Sequence, residues 1–157
     1  MEIVILRHGQ AEGYATSDAS RNLTERGKAD ALRAGACLAE LGLQFDALWV
    51  SPYVRAQQTA QQLLTSLPDL QIVSLDMLTP ESDLKSVFDF VHRSGLQRVL
   101  LVSHQPLVSD LVAYMTEPNG YGPAMAPASM ACVENKHGLP GCGELRWLRH
   151  APEFARE

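Results

Sequence analysis

The chain contains four short apolar stretches that predict β-strands. Two of them, residues 3–6 and 99–102, are uninterrupted runs of branched residues, which are typical of strands buried on both faces of a parallel sheet. The other two stretches are shorter and more mixed in composition. The predicted strands cover residues 2–6, 45–50, 70–75 and 98–102.

Between these strands, apolar residues recur at spacings of three and four, which predicts amphipathic helices. The first helix is expected to begin after Thr24, a good N-cap, and to end before Gly42. Its predicted buried stripe is formed by Ala29, Leu32, Ala36 and Ala39.

Three more helices follow, each with a start or stop signal. Ser51 and Pro52 are predicted as the N-cap and first residue of the second helix, with Arg55 in its first turn. Gly95 ends the third helix, and Pro106 begins the fourth. The predicted buried stripe of the third helix consists of Leu84, Val87, Phe88 and Val91.

The alternation of strands and helices predicts an α/β fold with a mostly parallel central sheet between two helical layers. Residues 128–133 and 143–148 predict a hairpin that adds an antiparallel edge. Residues 151–157 are expected to be a frayed tail. With 157 residues, the whole chain, 1–157, is expected to be a single domain.

Composition narrows the functional classes. Apolar residues make up 46% of the chain and charged residues 20%, as in an ordinary globular protein. The formal net charge of −5 argues against nucleic-acid binding, which needs clustered Lys and Arg. No apolar run reaches the length of a membrane helix, and the N-terminus lacks the features of a signal peptide. We therefore expect a cytoplasmic protein with no membrane partner.

The three cysteines, Cys37, Cys132 and Cys142, are an odd number without C-x-x-C spacing. A zinc site or a redox pair is therefore not indicated. Cys132 and Cys142 could face each other in the hairpin, but buried free thiols are the favoured interpretation in a cytosolic chain.

Candidate chemistry lies where the two most apolar strands end. The first strand is followed by Arg7 and His8, and the fourth by His104. Arg55 lies just after the second strand, either as a surface residue or as a partner of the helix N-terminus in binding an anion. Arg21, near the end of a polar loop, is either solvated or folded back over the site. The carboxyl ends of parallel strands share one sheet edge, so these groups are expected to converge.

Converging arginines favour a phosphate dianion, because the planar guanidinium matches phosphate oxygens, and the imidazoles favour nucleophilic or acid–base chemistry. A metal site is the competing interpretation. It is disfavoured because the adjacent cations would repel the metal and no carboxylate lies at a matching strand end. We therefore expect neither a metal nor a cofactor.

Four motifs in order along the chain resemble the histidine phosphatase (phosphoglycerate mutase-like) superfamily. They are Arg7-His8-Gly9, Leu23-Thr24-Glu25-Arg26-Gly27, the stretch from Ser51-Pro52 to Arg55-Ala56-Gln57-Gln58-Thr59-Ala60, and Ser103-His104. The short length, the Leu-Thr-Pro turn at 78–80, the Ser-His-x-Pro-Leu-Val stretch at 103–108 and Arg21 are most similar to the small SixA-type bacterial phosphohistidine phosphatases.

This resemblance implies a two-step phosphoryl transfer. His8 would attack phosphorus and become phosphorylated, and water would then release phosphate. Arg7 and Arg55 would hold the phosphoryl oxygens, His104 would donate a further hydrogen bond, and Arg21 would be an additional phosphate contact. The substrate would be a phosphohistidine protein, with a histidine phosphotransfer domain of a signalling relay as the family-based expectation, and the enzyme would be a monomer.

Larger members of the superfamily carry an insertion that covers the site and often supplies an acid. Here residues 76–97 are mostly one helix, so the site is expected to be open, and Glu81 is the nearest candidate acid. Its simpler interpretation is a solvated turn carboxylate. Two other functions stay open: a phosphatase for small phosphomonoesters, and a phosphoprotein-binding module without turnover.

Overall fold

A six-stranded mixed sheet forms the centre of the computed structural model, which describes residues 1–156. Its strand order is β3-β2-β4-β1-β5-β6. The four strands β1 to β4 pair in parallel, and β5 and β6 add the antiparallel edge. The strands are β1 Glu2–Arg7, β2 Ala47–Val50, β3 Ile72–Ser74, β4 Arg98–Ser103, β5 Met130–Asn135 and β6 Gly143–Arg149.

Two helices cover each face of the sheet, as the alternating side chains of β1 show. Ile3 and Ile5 belong to the apolar cluster under α3 and α4, whereas Val4 and Leu6 belong to the cluster under α1 and α2. The predicted three-layer α/β/α fold is therefore confirmed. The helices are α1 Glu25–Glu40, α2 Val54–Leu63, α3 Leu84–Arg93 and α4 Leu107–Thr116.

The prediction for the buried face of α1 is wrong. Leu32 is 39% exposed, and Ala36 and Ala39 are also exposed. A Cβ atom added to Gly35 would lie 3.0 Å from the Cα atom of Leu63, so the backbones of α1 and α2 are in close contact. That approach requires small side chains at the interface, which decides the orientation of α1. The face that is buried consists of Gly27, Asp30, Ala31, Ala34, Gly35 and Leu38.

The predicted start of α2 is also wrong. The helix begins at Val54 with Tyr53 as its N-cap. Ser51 instead extends the end of β2, because its N–H donates to the carbonyl of Val102 at 3.0 Å, and its hydroxyl accepts from the N–H of Tyr53 at 3.2 Å. Arg55 nevertheless stays in the first turn, as predicted.

The C-terminal segment is packed rather than frayed as far as Phe154. This ring is 3% exposed and belongs to the apolar cluster under α1 and α2. The carbonyl of Phe154 also accepts a hydrogen bond from Arg149 at 2.8 Å. The cysteines are free thiols, as predicted, but only Cys132 is buried, and Cys142 is exposed. No helix within residues 1–156 has the length and apolarity that a membrane crossing requires.

The turn after β1 lies directly against the start of α1. A Cβ atom on Gly9 would lie 2.6 Å from the carbonyl oxygen of Gly27, and a Cβ atom on Gly27 would lie 2.1 Å from the carbonyl oxygen of Gln10. Thr24 caps α1 beside this contact by accepting from the N–H of Gly27 at 3.0 Å. The two glycines therefore set how closely the loop after β1 approaches the helix.

Gly27→Ala is expected to lower the free energy of unfolding by about 1–3 kcal/mol, because backbone atoms must separate to admit the methyl group. This cost outweighs the gain in helix propensity. Urea unfolding measures the change. Gly13→Ala is the matched control: no atom lies within 4 Å of its added Cβ atom, so stability should stay within about 1 kcal/mol of the wild type. Equal effects of the two substitutions would contradict the steric argument.

Candidate active site

The carboxyl edge of the parallel strands carries the residues predicted to act together. His8 follows β1, His104 follows β4, and the N–H of His8 donates to the carbonyl of Ser103 at 3.0 Å, which joins the two strand ends. Their rings lie 5.0 Å apart, centroid to centroid. The cavity at this edge has a volume of about 360 Å³, and it is lined by Arg7, His8, Gln10, Ala11, Asp18, Arg21, Arg55, Pro80, His104, Gln105 and Pro127.

Two hydrogen bonds fix the tautomer of His8. Its Nδ1 lies 2.7 Å from the carbonyl oxygen of Gly9, and because a carbonyl only accepts, Nδ1 carries the proton and donates it. Its Nε2 lies 3.2 Å from the Nε atom of Arg55, which only donates. Nε2 is therefore unprotonated and presents a lone pair.

The electrostatic surroundings keep His8 neutral. Its side chain is 6% exposed, and burial, followed by the positive charges of Arg55, Arg7 and Arg21, lowers its pKa from 6.5 to about 4, although the hydrogen bond to Gly9 acts in the opposite direction. At neutral pH the Nε2 lone pair is consequently available for bonding.

Arg55 contacts the nucleophile candidate and the loop opposite. It is 3% exposed. Its Nε donates to the Nε2 of His8, and its Nη1 donates to the carbonyl of Asp18 at 2.7 Å. Its Nη2 donates to the carboxylate of Asp18 at 3.2 Å. The guanidinium also lies 5.0 Å from the centroid of the Tyr53 ring. Its position is thus defined on three sides.

The side chain of Arg7 is hydrogen-bonded to the segment that precedes β5. Its Nη1 donates to the carbonyl of Met125 at 2.9 Å, and the same carbonyl accepts from Gln105 at 3.2 Å. Its Nε is buried and has no partner among the described residues. Burial, and next the charge of Arg55, lowers the pKa of Arg7. Arg7 therefore has donor capacity that the protein leaves unused.

His104 is buried, with one ring nitrogen bonded and the other without a partner. Its Nε2 lies 2.7 Å from the hydroxyl of Ser51, and its Nδ1 has no hydrogen-bond partner among residues 1–156. Burial, then the charges of His8 and Arg55, lowers the pKa of His104 to about 3. The Ser51 hydroxyl accepts from the N–H of Tyr53, and it has both a proton to give to Nε2 and a second lone pair that accepts from it.

Arg21 does fold back toward the site, in agreement with one of its two interpretations. Its Nε donates to the carboxylate of Asp18 at 3.0 Å, and its Nη1 donates to the carbonyl of Glu12 at 3.0 Å. Asp18 thereby bridges Arg21 and Arg55. Although burial acts in the opposite direction, the hydrogen bonds and charges of the two arginines lower the pKa of Asp18, so it is an anion at neutral pH.

Thr59 ties the turn after β1 to α2. Its Oγ1 accepts from the N–H of Gly9 at 3.0 Å and donates to the carbonyl of Arg55 at 2.7 Å. Thr59 is fully buried. One hydroxyl therefore connects Gly9, whose carbonyl orients the His8 ring, to the helical turn that carries Arg55.

The structure brings Arg7, His8, Arg21, Arg55 and His104 to one cavity, whereas Glu81 is exposed and is not among the residues that line it. The sequence interpretation missed two polar contributors, Asp18 and Thr59. Both had a usable signal in their spacing. Asp18 lies three residues before Arg21, and Thr59 lies four residues after Arg55, within bonding distance of its carbonyl.

The cavity offers cations rather than metal ligands. Among residues 1–156, no group of three or more His, Cys, Asp or Glu side chains could hold a metal ion. Three guanidiniums against one carboxylate leave an excess of two positive charges around the His8 and His104 rings. Such an arrangement binds a doubly charged oxyanion and places it beside an unprotonated ring nitrogen.

Comparison with known proteins shows similarity over as much as 94% of the chain. The sequence profile of the Histidine phosphatase superfamily (branch 1) matches residues 3–79. The Phosphohistidine phosphatase SixA homolog of Haemophilus influenzae is 38% identical over 125 residues, which cover 72% of this chain and 76% of that protein. The Phosphohistidine phosphatase SixA of Escherichia coli K12 is 32% identical over 152 residues, covering 94% of this chain and 92% of that protein.

The fold is similar to that of a solved relative. The structure of the protein histidine phosphatase SixA complexed with tungstate superimposes with a TM-score of 0.86 at 31% identity, covering 94% of this chain and 96% of that one. A putative phosphohistidine phosphatase SixA from Agrobacterium tumefaciens shares the fold, with a TM-score of 0.80 at 22% identity.

Acidification is expected to destabilise the protein through His8. The unfolded chain binds a proton near pH 6.5, whereas the folded ring does so only at about pH 4, so stability falls as the pH decreases between these values. The loss is about 1.4 kcal/mol per pH unit. Urea unfolding at pH 6.5 and pH 5 measures this loss. Between these pH values, the free energy of unfolding of His8→Gln should fall by about 2 kcal/mol less than that of the wild type. Identical losses would contradict the lowered pKa.

Thr59→Val is expected to lower the free energy of unfolding by about 1–3 kcal/mol, because the buried N–H of Gly9 loses its acceptor. Thr59→Ser keeps the hydroxyl and should cost less than the valine variant, although valine conserves the shape of threonine better. Chemical denaturation of both variants tests this order. A serine variant that is the less stable of the two would show that packing, not the hydrogen bond, is the role of Thr59.

Proposed function

Because this chain belongs to the histidine phosphatase superfamily, we propose that it is a phosphohistidine phosphatase, which hydrolyses phosphate from a phosphohistidine protein. The observation that carries this proposal is the Nε2 atom of His8. It is held unprotonated by Gly9 and Arg55 within a cavity that has an excess of positive charge. The relatives named phosphohistidine phosphatase support the choice of substrate.

In this mechanism the arginines receive the phosphoryl group. The buried Nε of Arg7 has no hydrogen-bond partner among the described residues, and the Nε of Arg55 donates to the Nε2 of His8. When a phosphoryl oxygen accepts the Nε–H of Arg55, the lone pair of His8 Nε2 is released for attack. Arg21 adds a third positive charge, so the excess of two charges matches a phosphoryl dianion. Most of the catalysis then comes from positioned cations, because a loose transition state spreads charge over the equatorial oxygens.

The first transfer forms a bond between His8 Nε2 and phosphorus and breaks the bond between phosphorus and the substrate nitrogen. The His8 ring becomes a phosphorylated imidazolium, and its Nδ1–H remains bonded to the carbonyl of Gly9, which stabilises the positive charge. In this proposal His104 carries its ring proton on Nδ1, which has no partner among the described residues, and donates it to a phosphoryl oxygen. The electron pair of the broken bond stays on the substrate ring.

The second transfer uses water as the nucleophile. Water forms a bond to phosphorus, the bond to His8 Nε2 breaks, and the electron pair returns to Nε2. Because Nδ1 has kept its proton throughout, His8 leaves as neutral imidazole, and its pKa of about 4 keeps it so at neutral pH. The water proton passes to the released phosphate. The cycle needs neither a metal nor a cofactor, since the guanidiniums supply the positive charge.

No protonated acid lines the cavity among the described residues, because the carboxyl group of Asp18 is an anion held by Arg21 and Arg55. This favours a phosphoramidate substrate. Glu81 is exposed and is not among the residues that line the cavity. A phosphohistidine ring protonated at its other nitrogen leaves as neutral imidazole without further help, whereas an alcohol leaving group needs a proton on its oxygen. In this proposal Glu81 is not required as the acid.

The finer features of the proposal follow the family. The substrate is a histidine phosphotransfer domain in a phosphorelay, and the enzyme works in the cytoplasm as a monomer. The whole chain acts as one domain. An open site supports a protein substrate, because residues 76–97 hold only a short 3₁₀ turn and α3 and contribute a single lining residue, Pro80, to the cavity.

His8→Ala is expected to lower phosphate release from a phosphohistidine protein by at least roughly 10³-fold, because it removes the nucleophile of the proposed mechanism. The substrate is a histidine phosphotransfer domain phosphorylated with phosphoramidate. Released phosphate is measured for the wild type and the variant, with p-nitrophenyl phosphate as a phosphomonoester for comparison.

His137→Ala is the matched control, because His137 is exposed in the turn between β5 and β6, and its rate should equal that of the wild type. Cleavage of p-nitrophenyl phosphate alone would replace the proposal by a small-molecule phosphomonoesterase. Vanadate binding without cleavage of either substrate would indicate a phosphoprotein-binding module.

A further inference from the structure

Two tyrosines have the most exposed large apolar side chains in the part of the chain that the structure describes. Tyr121 has a relative exposure of 102%, and Tyr14 is 89% exposed. The next such residue, Leu139, is 56% exposed. Single exposed apolar residues are ordinary on protein surfaces, so exposure alone indicates little. The informative observation is where these two rings lie.

Tyr14 lies in the loop that forms one wall of the active-site cavity. It stands between Ala11 and Asp18, which both line the cavity. The loop is fixed at its two ends. Ala11 pairs with Leu23 through an isolated bridge, and Asp18 bonds to Arg55. The ring is therefore presented to solvent from a segment that is anchored at the cavity.

Tyr121 lies in the segment that forms another wall of the cavity. The next residue, Gly122, lies against the first turn of α4, because a Cβ atom added there would lie 1.9 Å from the carbonyl oxygen of Ser109. Ser109 also donates to the carbonyl of Pro123 at 2.7 Å and accepts from Gln105 at 2.6 Å. Gln105 lines the cavity, so Tyr121 is held close to its rim.

We propose that Tyr14 and Tyr121 form a docking surface for a folded protein that carries phosphohistidine. This proposal rests on the proposed function. The reacting atom of His8 is buried, and the phosphohistidine side chain of the substrate is short. The substrate surface around the phosphohistidine must therefore contact the rim of the cavity. Each ring belongs to a segment that contributes lining residues to the cavity, Tyr14 between Ala11 and Asp18 and Tyr121 before Pro127, and in this proposal both rings meet that surface.

The chemistry of the rings defines the partner. Tyrosine offers a large apolar face and a hydroxyl, and it loses little conformational entropy on binding, which is why it is enriched in the energetic centres of interfaces. The matching partner surface has apolar side chains beside the phosphohistidine. The third exposed residue, Leu139, lies in the turn after β5, at the opposite edge of the sheet, and takes no part in this surface.

Kinetics with substrates of different size test this proposal. Tyr14→Ala and Tyr121→Ala should each raise KM for the phosphorylated histidine phosphotransfer domain by about 5-fold to 10-fold, with kcat unchanged. The double variant should raise KM by more than either single variant. For p-nitrophenyl phosphate and phosphoramidate, which are too small to reach the rim, kcat/KM should change less than about 2-fold.

Two controls isolate the aromatic surface. Leu139→Ala removes an exposed apolar side chain of comparable size away from the cavity and should leave KM for the protein substrate unchanged. Tyr14→Phe and Tyr121→Phe retain the rings and should retain most of the affinity. Size-exclusion chromatography with light scattering compares the mass of the wild type with that of the double variant.

The failures of the two proposals are distinguishable. If the wild type releases no phosphate from the protein substrate, the proposed function fails. If the wild type cleaves it, but the tyrosine variants keep the wild-type KM, or all substrates are affected equally, the docking surface is refuted. The docking surface is also refuted if the wild type cleaves the protein no better than phosphoramidate, or if the tyrosines prove to hold two copies of the chain together.

Discussion

The backbone of Gly9 is restrained at its N–H, at its carbonyl and at its Cα. Its carbonyl accepts the Nδ1–H of His8, its N–H donates to Thr59, and the missing Cβ leaves room for the backbone of Gly27. A shift of this residue would rotate the His8 ring and disturb the contacts of the loop with α1 and α2. The orientation of His8 thus depends on how the turn after β1 packs against these two helices.

Burial of several cations at one sheet edge costs free energy. The cost is limited because the imidazole rings are neutral, whereas the guanidiniums keep their charge. Both His8 and His104 have pKa values far below neutral pH, so only the arginines carry charge. Asp18 offsets one of these charges from the exposed side of the loop. In the proposed function the remaining positive charge is what binds the phosphoryl group.

Most of the fold and the cavity were predictable, because buried parallel strands appear in the sequence as branched apolar runs and their ends share one edge. The orientation of α1 was not predictable in this way. The periodic pattern is defined by apolar residues, whereas the close contact between α1 and α2 requires small residues, above all Gly35. The start of α2 was missed because Ser51 does not cap the helix. Its N–H extends the pairing of β2 with β4, and its hydroxyl is hydrogen-bonded to His104. Asp18 was missed because its only signal is its spacing of three residues from Arg21, and periodicity of apolar residues does not detect a carboxylate in a loop.

The carboxylate of Asp18 gives the resting cavity an anion of its own. Because that side chain is 59% exposed, its ion pairs with Arg21 and Arg55 contribute little stability and are easily broken. In the proposed mechanism an incoming phosphoryl group therefore meets three guanidiniums whose charge is already partly neutralised by a tethered carboxylate. The same carboxylate competes with free phosphate for Arg21 and Arg55 at high local concentration. In that mechanism the loop that lines the cavity also weakens the binding of the product.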